Sequence, residues 1–380
     1  MLLLPYQVQA SRVFTLFVGA FWFFAILRGR ALRKPEIAHW AMLLFIVCAA
    51  ANLPWTPEPE RSFRRILSYS QLFLLAVLVH QAARTTRQYH SLLAAYLAGG
   101  MVPIAGQFYN FTFGVTTGDG RYTSPGFDPN DLAITLVLGI PIAWHLAVKR
   151  RLHTWLASCY IPLAITGCLM TASRGALVTL AVALLYPLTS LPKMRRRSMA
   201  AFFLILGGSV CVFLSLKGDI AFHRLATITR ELSDRDLNGR VDIWQRGINV
   251  FMDNPLLGAG AGNFGSAVGS WRSRDIAAHN TMLGVLVEHG LLGISLFIFT
   301  IAALLQRARQ GEPGEGRFWI LLLASWCVAV STLSWENREL TWLLWGLCLA
   351  DPLLSKAYRG LRGRRQVARG YSYVNQKVWA

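Results

Sequence analysis

The chain has 380 residues, 54% of them hydrophobic and only 15% charged, with a net charge of +19. A soluble protein of this length is about one quarter charged, so repeated apolar runs of 16–25 residues between short basic loops exclude a water-soluble globule and indicate a polytopic membrane protein. The positive balance fits either nucleic-acid binding or the positive-inside rule, and the placement of the charges decides for the second.

Taken in chain order, eleven spans are expected at 12–28, 37–53, 65–80, 91–108, 130–148, 154–172, 174–191, 199–216, 281–305, 318–335 and 340–355. The fold class is therefore all-α, with about 11 (10–12) transmembrane helices. Residues 1–216 form an N-terminal membrane bundle, 217–280 a long outer loop, 281–355 the C-terminal spans and 356–380 a basic tail. No run has the short apolar core and small-residue cleavage site of a removed signal peptide. The basic segments 28–34, 84–87, 149–151, 193–197 and 306–317, with the tail, hold 23 of the 38 Lys and Arg and fall on one side, which marks it as cytoplasmic. Arg61, Arg64 and Arg65 are the misfit, clustering on the outer side. All six cysteines lie inside apolar runs without zinc-like spacing and read as small buried hydrophobes.

The 64-residue segment 217–280 is the one large polar stretch. Within it, Val241, Trp244, Ile248 and Phe251 recur at helical spacing, with Asn238 as a cap and Asn254-Pro255 as the stop. The glycine-rich run at 256–269 that follows suits a tight turn against the membrane surface. Its GAGNFG stretch lacks the preceding strand that a nucleotide-binding fingerprint needs. Asp234 and Asp236 read as solvated surface, and no metal site or cofactor is expected.

Topology sorts the eight histidines. His39, His80, His90, His145 and His153 fall at or near cytoplasmic ends, and His289 lies inside the ninth span. His223 and His279 remain outside, and His279 stands at a helix entrance where Asn280 or Thr281 can cap the first turn. Ser173 is the natural N-cap of the seventh span, Arg174 its first residue, and Arg240 opens the loop helix. A cation in a first turn opposes the helix macrodipole by a few tenths of a kcal/mol, up to ~1. Two such arginines make sense if an anion shares the site, because guanidinium and helix N-terminal amides together bind phosphate oxygens. Arg121 lies in an outer loop where Asn130 or Asp131 can cap the fifth span. Glu288 and Glu336 lie in or beside spans, read either as functional carboxylates or as structural partners of arginines.

Three stretches, TASRGAL (171–177), GRVDIWQRGINVFMDNPLLGAGAGNF (239–264) and HNTMLGVLVEHGLLG (279–293), resemble the O-antigen ligase and polymerase superfamily of bacterial envelope proteins, as does RYTSPGFDPNDLA (121–133) ahead of them. Met282 stands where that family usually has an aromatic, and the outer loop is compact. The resemblance implies an inner-membrane glycosyltransferase with its site facing the periplasm, moving a glycan from an undecaprenyl-diphosphate carrier to an acceptor hydroxyl without metal or nucleotide. By position, Arg174 and Arg240 would bind the diphosphate, His279 would face the acceptor, and Arg121 would assist on the donor. Ser173, Asn280 and Trp244 complete the candidate substrate-binding set. The acceptor would be lipid A-core for a ligase or another carrier-linked repeat for a polymerase. The outer loop would form a helical lid over a cleft open to the membrane. A lipid-linked oligosaccharide transporter is the alternative from another class, disfavoured by the lack of an internal repeat.

Overall fold

The computed structural model describes residues 32–149, 154–190, 239–269 and 276–354, with isolated positions between 203 and 211. Among these residues all regular structure is helical: α1 Ile37–Ala51, α2 Pro59–Ala82, α3 Thr86–Thr112, α4 Pro129–Lys149, α5 Thr154–Met170, α6 Arg174–Ser190, α7 Arg240–Asp253, α8 Phe264–Val268, α9 Thr281–Gln310, α10 Pro313–Val330 and α11 Glu339–Ala350. Nine of the eleven expected spans coincide with described helices. The ranges 12–28 and 199–216, Asn238, Asp234, Asp236, His153, His223 and the tail fall outside the described residues, apart from the isolated positions.

Five helices are long and apolar enough to cross a membrane: Ile37–Trp55, Pro59–Ala82, Thr86–Thr112, Pro129–Val148 and Thr281–Gln310. The protein is thus a polytopic membrane protein of all-helical fold. Trp40, Leu44 and Val47 form an exposed stripe along α1, as expected of a face meeting lipid rather than protein. In contrast, α4 is enclosed by α3, α5 and α6 and lies at the centre of the bundle. Elsewhere α2 packs on α11, α1 on α9 and α6 on α10, around a tryptophan cluster in which Trp326 and Trp345 meet edge to face at 5.5 Å.

Helix α2 starts six residues earlier than the hydropathy pattern indicates and takes in all three of the misfit arginines. Pro59 and Glu60 open the helix. Arg61 and Arg64 then pair with Glu58 and Glu60 one turn back, at 3.7 and 3.6 Å. Arg65 reaches across to Glu336 at 2.9 Å. Each of the three arginines therefore has a carboxylate partner in place.

Helix α9 is broken. Gly290 has φ 63° and ψ −162° in the middle of it, and the glycine-rich run fills the break. Two helical bonds, Leu291 to Val287 and Leu292 to Glu288, are replaced by four bonds to that run. The Ala259 amide donates to the Val287 carbonyl at 2.8 Å and the Gly260 amide to the Glu288 carbonyl at 2.9 Å. The Leu291 and Leu292 amides donate to the Pro255 and Leu256 carbonyls at 2.8 and 3.2 Å. Irregular backbone at this depth is tolerable only with such partners. The Glu288 carboxylate adds two more, accepting from the Gly262 and Phe264 amides at 2.7 and 3.2 Å. On the far side Asn52 donates to the Leu257 carbonyl, and Ser62 to the Ala261 carbonyl at 2.9 Å. The run is a strap threaded between α1–α2 and α9, not the surface turn its composition suggests.

Candidate functional site

The starts of α4, α6, α7, α9 and α11 are linked at one end of the bundle, together with the 113–128 loop. Three of them share one backbone device. Helices α6, α7 and α9 are each entered through a residue of positive φ one or two positions before the first helical residue: Ala172 (48°), Gly239 (76°) and His279 (47°). Non-glycine residues in this region store strain of order 1–3 kcal/mol and persist only where their neighbours are pinned.

At His279 both neighbours are pinned. The Trp244 indole donates to the Ala278 carbonyl at 2.9 Å, and the Asn280 side chain caps α9 by accepting from the Leu283 amide at 3.1 Å. Asn280, rather than Thr281, is the cap. Thr281 is spent on Leu333, to whose carbonyl it donates at 2.7 Å, and on the Trp335 amide at 2.8 Å. The His279 imidazole is half-buried, and burial holds its pKa below the ordinary 6.5, with Arg240 pushing in the same direction and Asp128 and Asp131 opposing. The Arg240 charge, the two carboxylates and His279 therefore share one electrostatic environment.

At Ala172 the pinning is done from the 113–128 loop. Arg121 is buried, and its guanidinium donates to the Thr171 carbonyl and to Asn130 Oδ1, each at 2.7 Å. The Tyr122 amide donates to the Met170 carbonyl at 3.2 Å. Ser173 Oγ accepts from the Ala176 amide at 3.4 Å and so caps α6 as expected. Gly175 lies against Thr332, next to the Leu333 carbonyl that holds Thr281. One chain of contacts thus links Arg121, the entrance bearing Arg174, and the mouth of α9.

Some expectations need correction. The face of α7 that packs is not the line through Val241 and Ile248, both of which are exposed; Ile243 and Gly247 are buried, with Trp244, Val250 and Phe251 partly so. Gly247 permits this: a Cβ there would stand only 3.3 Å from the Phe264 ring and 3.4 Å from Val287, a contact a polarity count does not register. Neither Asn130 nor Asp131 caps α4. Asp128 does, accepting from both their amides at 2.8 and 3.3 Å, which leaves Asn130 to Arg121 and Asp131 to Arg338 at 2.7 Å and the Trp335 indole at 2.8 Å. The Asp128-Pro129 pair is a recognisable helix start, but nothing in the sequence marks Trp335 or Arg338 as its neighbours. In the strap, the Ala259 and Gly260 amides are taken by α9 carbonyls and the Gly262 and Phe264 amides by Glu288. Among the described residues no group of three or more His, Cys, Asp or Glu gathers as metal ligands would.

A chain of this class, a helical membrane bundle with basic helix entrances at one end, has recognisable relatives. Residues 159–298 match a family model described as O-antigen ligase. The exopolysaccharide production protein ExoQ of Rhizobium meliloti (strain 1021) is 25% identical over 283 residues, 68% of this chain. The alignment spans 62% of that relative's length. Together these findings support the O-antigen ligase superfamily for this chain. The matched segment contains Arg174, Arg240, the strap and His279, and leaves Arg121 outside.

Proposed function

We propose that the protein is a glycosyltransferase of the inner membrane whose site faces the periplasm, transferring a glycan from an undecaprenyl-diphosphate carrier to a hydroxyl of lipid A-core. The observation that carries this reading is the convergence of the basic helix starts and the strained, pinned His279 at one end of the bundle. The matched family and the relative named for polysaccharide production agree with the substrate class.

Arg174 and Arg240, each with the amides of its helix start, bind the diphosphate. The acceptor oxygen attacks the anomeric carbon and the bond from that carbon to the diphosphate oxygen breaks, inverting the centre. The leaving diphosphate keeps the electron pair, and its growing charge is stabilised by the two guanidinium groups. The acceptor proton passes to the neutral imidazole of His279. Asn280 and Trp244 position that ring, Ser173 caps the Arg174 helix, and Arg121 acts through Thr171 on the same entrance. A polymerase reading, with a second carrier-linked repeat as acceptor, uses the same residues and draws on the relative's exopolysaccharide name.

The test supplies the purified protein with carrier-linked glycan and lipid A-core, with and without EDTA. Glycan on lipid A-core, lost in His279→Ala and Arg174→Ala, is the expected result. Longer carrier-linked chains instead assign a polymerase. Full activity in both variants refutes the residue roles, and donor movement across proteoliposomes without transfer replaces the enzyme by a transporter.

A further inference from the structure

The loop between α3 and α4 forms an open cavity of about 400 Å³, within the usual span of roughly 300–1,000 Å³ for ligand sites. Asn110, Thr116, Thr117, Thr123, Ser124 and Phe127 are among the residues that line it, and no lining residue is ionisable. The loop is built rather than draped. The Val115 amide bonds the Asn110 carbonyl at 2.8 Å, the Thr117 amide the Arg121 carbonyl at 2.9 Å, and the Phe127 amide the Ser124 carbonyl at 3.1 Å. The Asn110 amide donates across to the Thr123 carbonyl at 2.7 Å. Helix α3 meets the loop closely at Gly106, where a Cβ would stand 3.2 Å from Pro125.

We infer that this cavity is a subsite for an uncharged sugar residue of the glycan, separate from the Arg174, Arg240 and His279 centre and adjoining it. The inference rests on the glycan-transfer reading above. A sugar ring offers hydroxyls that both donate and accept, and an apolar C–H face. The cavity answers each. Thr117 Oγ accepts from the Arg121 amide at 3.2 Å, which leaves its O–H to donate. Thr123 Oγ donates to the Phe127 carbonyl at 3.0 Å, which leaves its lone pairs to accept. Phe127 supplies a flat apolar face. A lining without charge selects against uronic acid and phosphate. The position fits as well: Arg121 and Tyr122, in the same loop, hold the Thr171 and Met170 carbonyls just before Ser173 and Arg174. A sugar seated here lies beside the entrance that binds the diphosphate, within reach of either partner of the reaction.

The test uses the full chain in lipid nanodiscs and, as probe, the oligosaccharide repeat released by mild acid from the host's own surface polysaccharide. Its affinity is measured calorimetrically for wild type, Phe127→Ala, Phe127→Trp and Thr116→Trp. Loss of the aromatic face, or filling of the cavity from exposed Thr116, weakens binding about tenfold, the equivalent of ~1.4 kcal/mol, while Phe127→Trp stays near wild type. Competition by delipidated lipid A-core oligosaccharide assigns the subsite to the acceptor; its absence assigns it to the donor glycan. No binding to wild type, or equal binding to Phe127→Ala and Thr116→Trp at unchanged melting temperature, overturns the inference. Arg174→Ala and His279→Ala leave this binding intact, so their failure to abolish transfer would strike the proposed reaction centre without touching the subsite.

Discussion

Replacing Gly290 by alanine tests the reading of the broken helix. The residue sits at φ 63° and ψ −162°, a region essentially restricted to glycine that costs other residues ~1–3 kcal/mol. A Cβ there would stand 2.6 Å from the Leu257 amide nitrogen and closer still to the Leu256 carbonyl, so the strap must move. Alanine favours continuous helix, and closing the helix restores two bonds inside α9 but removes all four that hold the strap. The Ala259 and Gly260 amides then lose their partners, at a cost of ~1–3 kcal/mol each if they stay buried. The two amides together amount to ~2–6 kcal/mol, a large part of the ~5–15 kcal/mol that holds a folded domain. At roughly 2 °C per kcal/mol for a large chain, Gly290→Ala lowers the melting temperature in detergent by about 4–12 °C. Gly99→Ala is the control: Gly99 lies in α3 with nothing near its missing Cβ and gains ~0.5–1 kcal/mol from the substitution. Equal melting temperatures for Gly290→Ala and wild type would refute the strap as a structural element.

Three further outcomes follow from the site. Transfer is lost as pH falls through the His279 pKa, which burial and Arg240 hold below 6.5; in a pH–rate profile Arg240→Gln moves that acid limb upward and Asp131→Asn moves it downward, and shifts of the opposite sign would separate these groups from the base. Arg65→Ala strips Glu336, a carboxylate only 5% exposed, of its 2.9 Å partner and costs about 3 kcal/mol in thermal unfolding; Glu336→Gln in the same chain recovers much of it, and no recovery would mean that Arg65 acts elsewhere. Asn280→Ala removes the α9 cap at ~1 kcal/mol and lowers kcat more than it raises KM, because His279 loses one of its two anchors; Asn280→Asp restores both, and a KM effect alone would make Asn280 a substrate contact instead.

The helices were legible because nothing in a membrane competes with hydropathy: a run that is apolar for sixteen or more residues has few other places to go. Ser173 and Asn280 were legible as caps because capping is local chemistry, settled within three residues. What was hidden depends on pairing across distance. The Gly290 break looks like a glycine tolerated in a long apolar helix, and its cause lies some thirty residues earlier in the chain, in a strap that reads as a surface turn. The buried face of α7 follows Gly247, which a periodicity of apolar side chains passes over. Arg65 and Glu336 are 271 positions apart, and a rule that counts charges loop by loop cannot see that they cancel.

Arginines at helix C-termini and the two that open α6 and α7 differ in what holds them, and that contrast bears on where the chemistry is. At the end away from the outer loops, Arg33 donates to the His80 and Ala83 carbonyls at the close of α2 and to the Ala350 carbonyl at the close of α11. Arg307 bonds the Leu349 carbonyl at 2.9 Å and Glu36 at 2.7 Å. These cations sit at helix C-termini, where the macrodipole favours them and unpaired carbonyls need donors. Folding alone explains them. At the loop-bearing end Arg174 and Arg240 are the first residues of their helices, where the same dipole opposes them and the nearby backbone groups are themselves donors. The helix dipole by itself does not favour guanidinium at such positions. A ligand with several anionic oxygens reverses the balance, because it accepts from the guanidinium and from the first-turn amides at once. Arginines at helix C-termini build the bundle; among those in first turns, which also include Arg61 of α2 and Arg87 of α3, Arg174 and Arg240 are the two to which we assign the diphosphate.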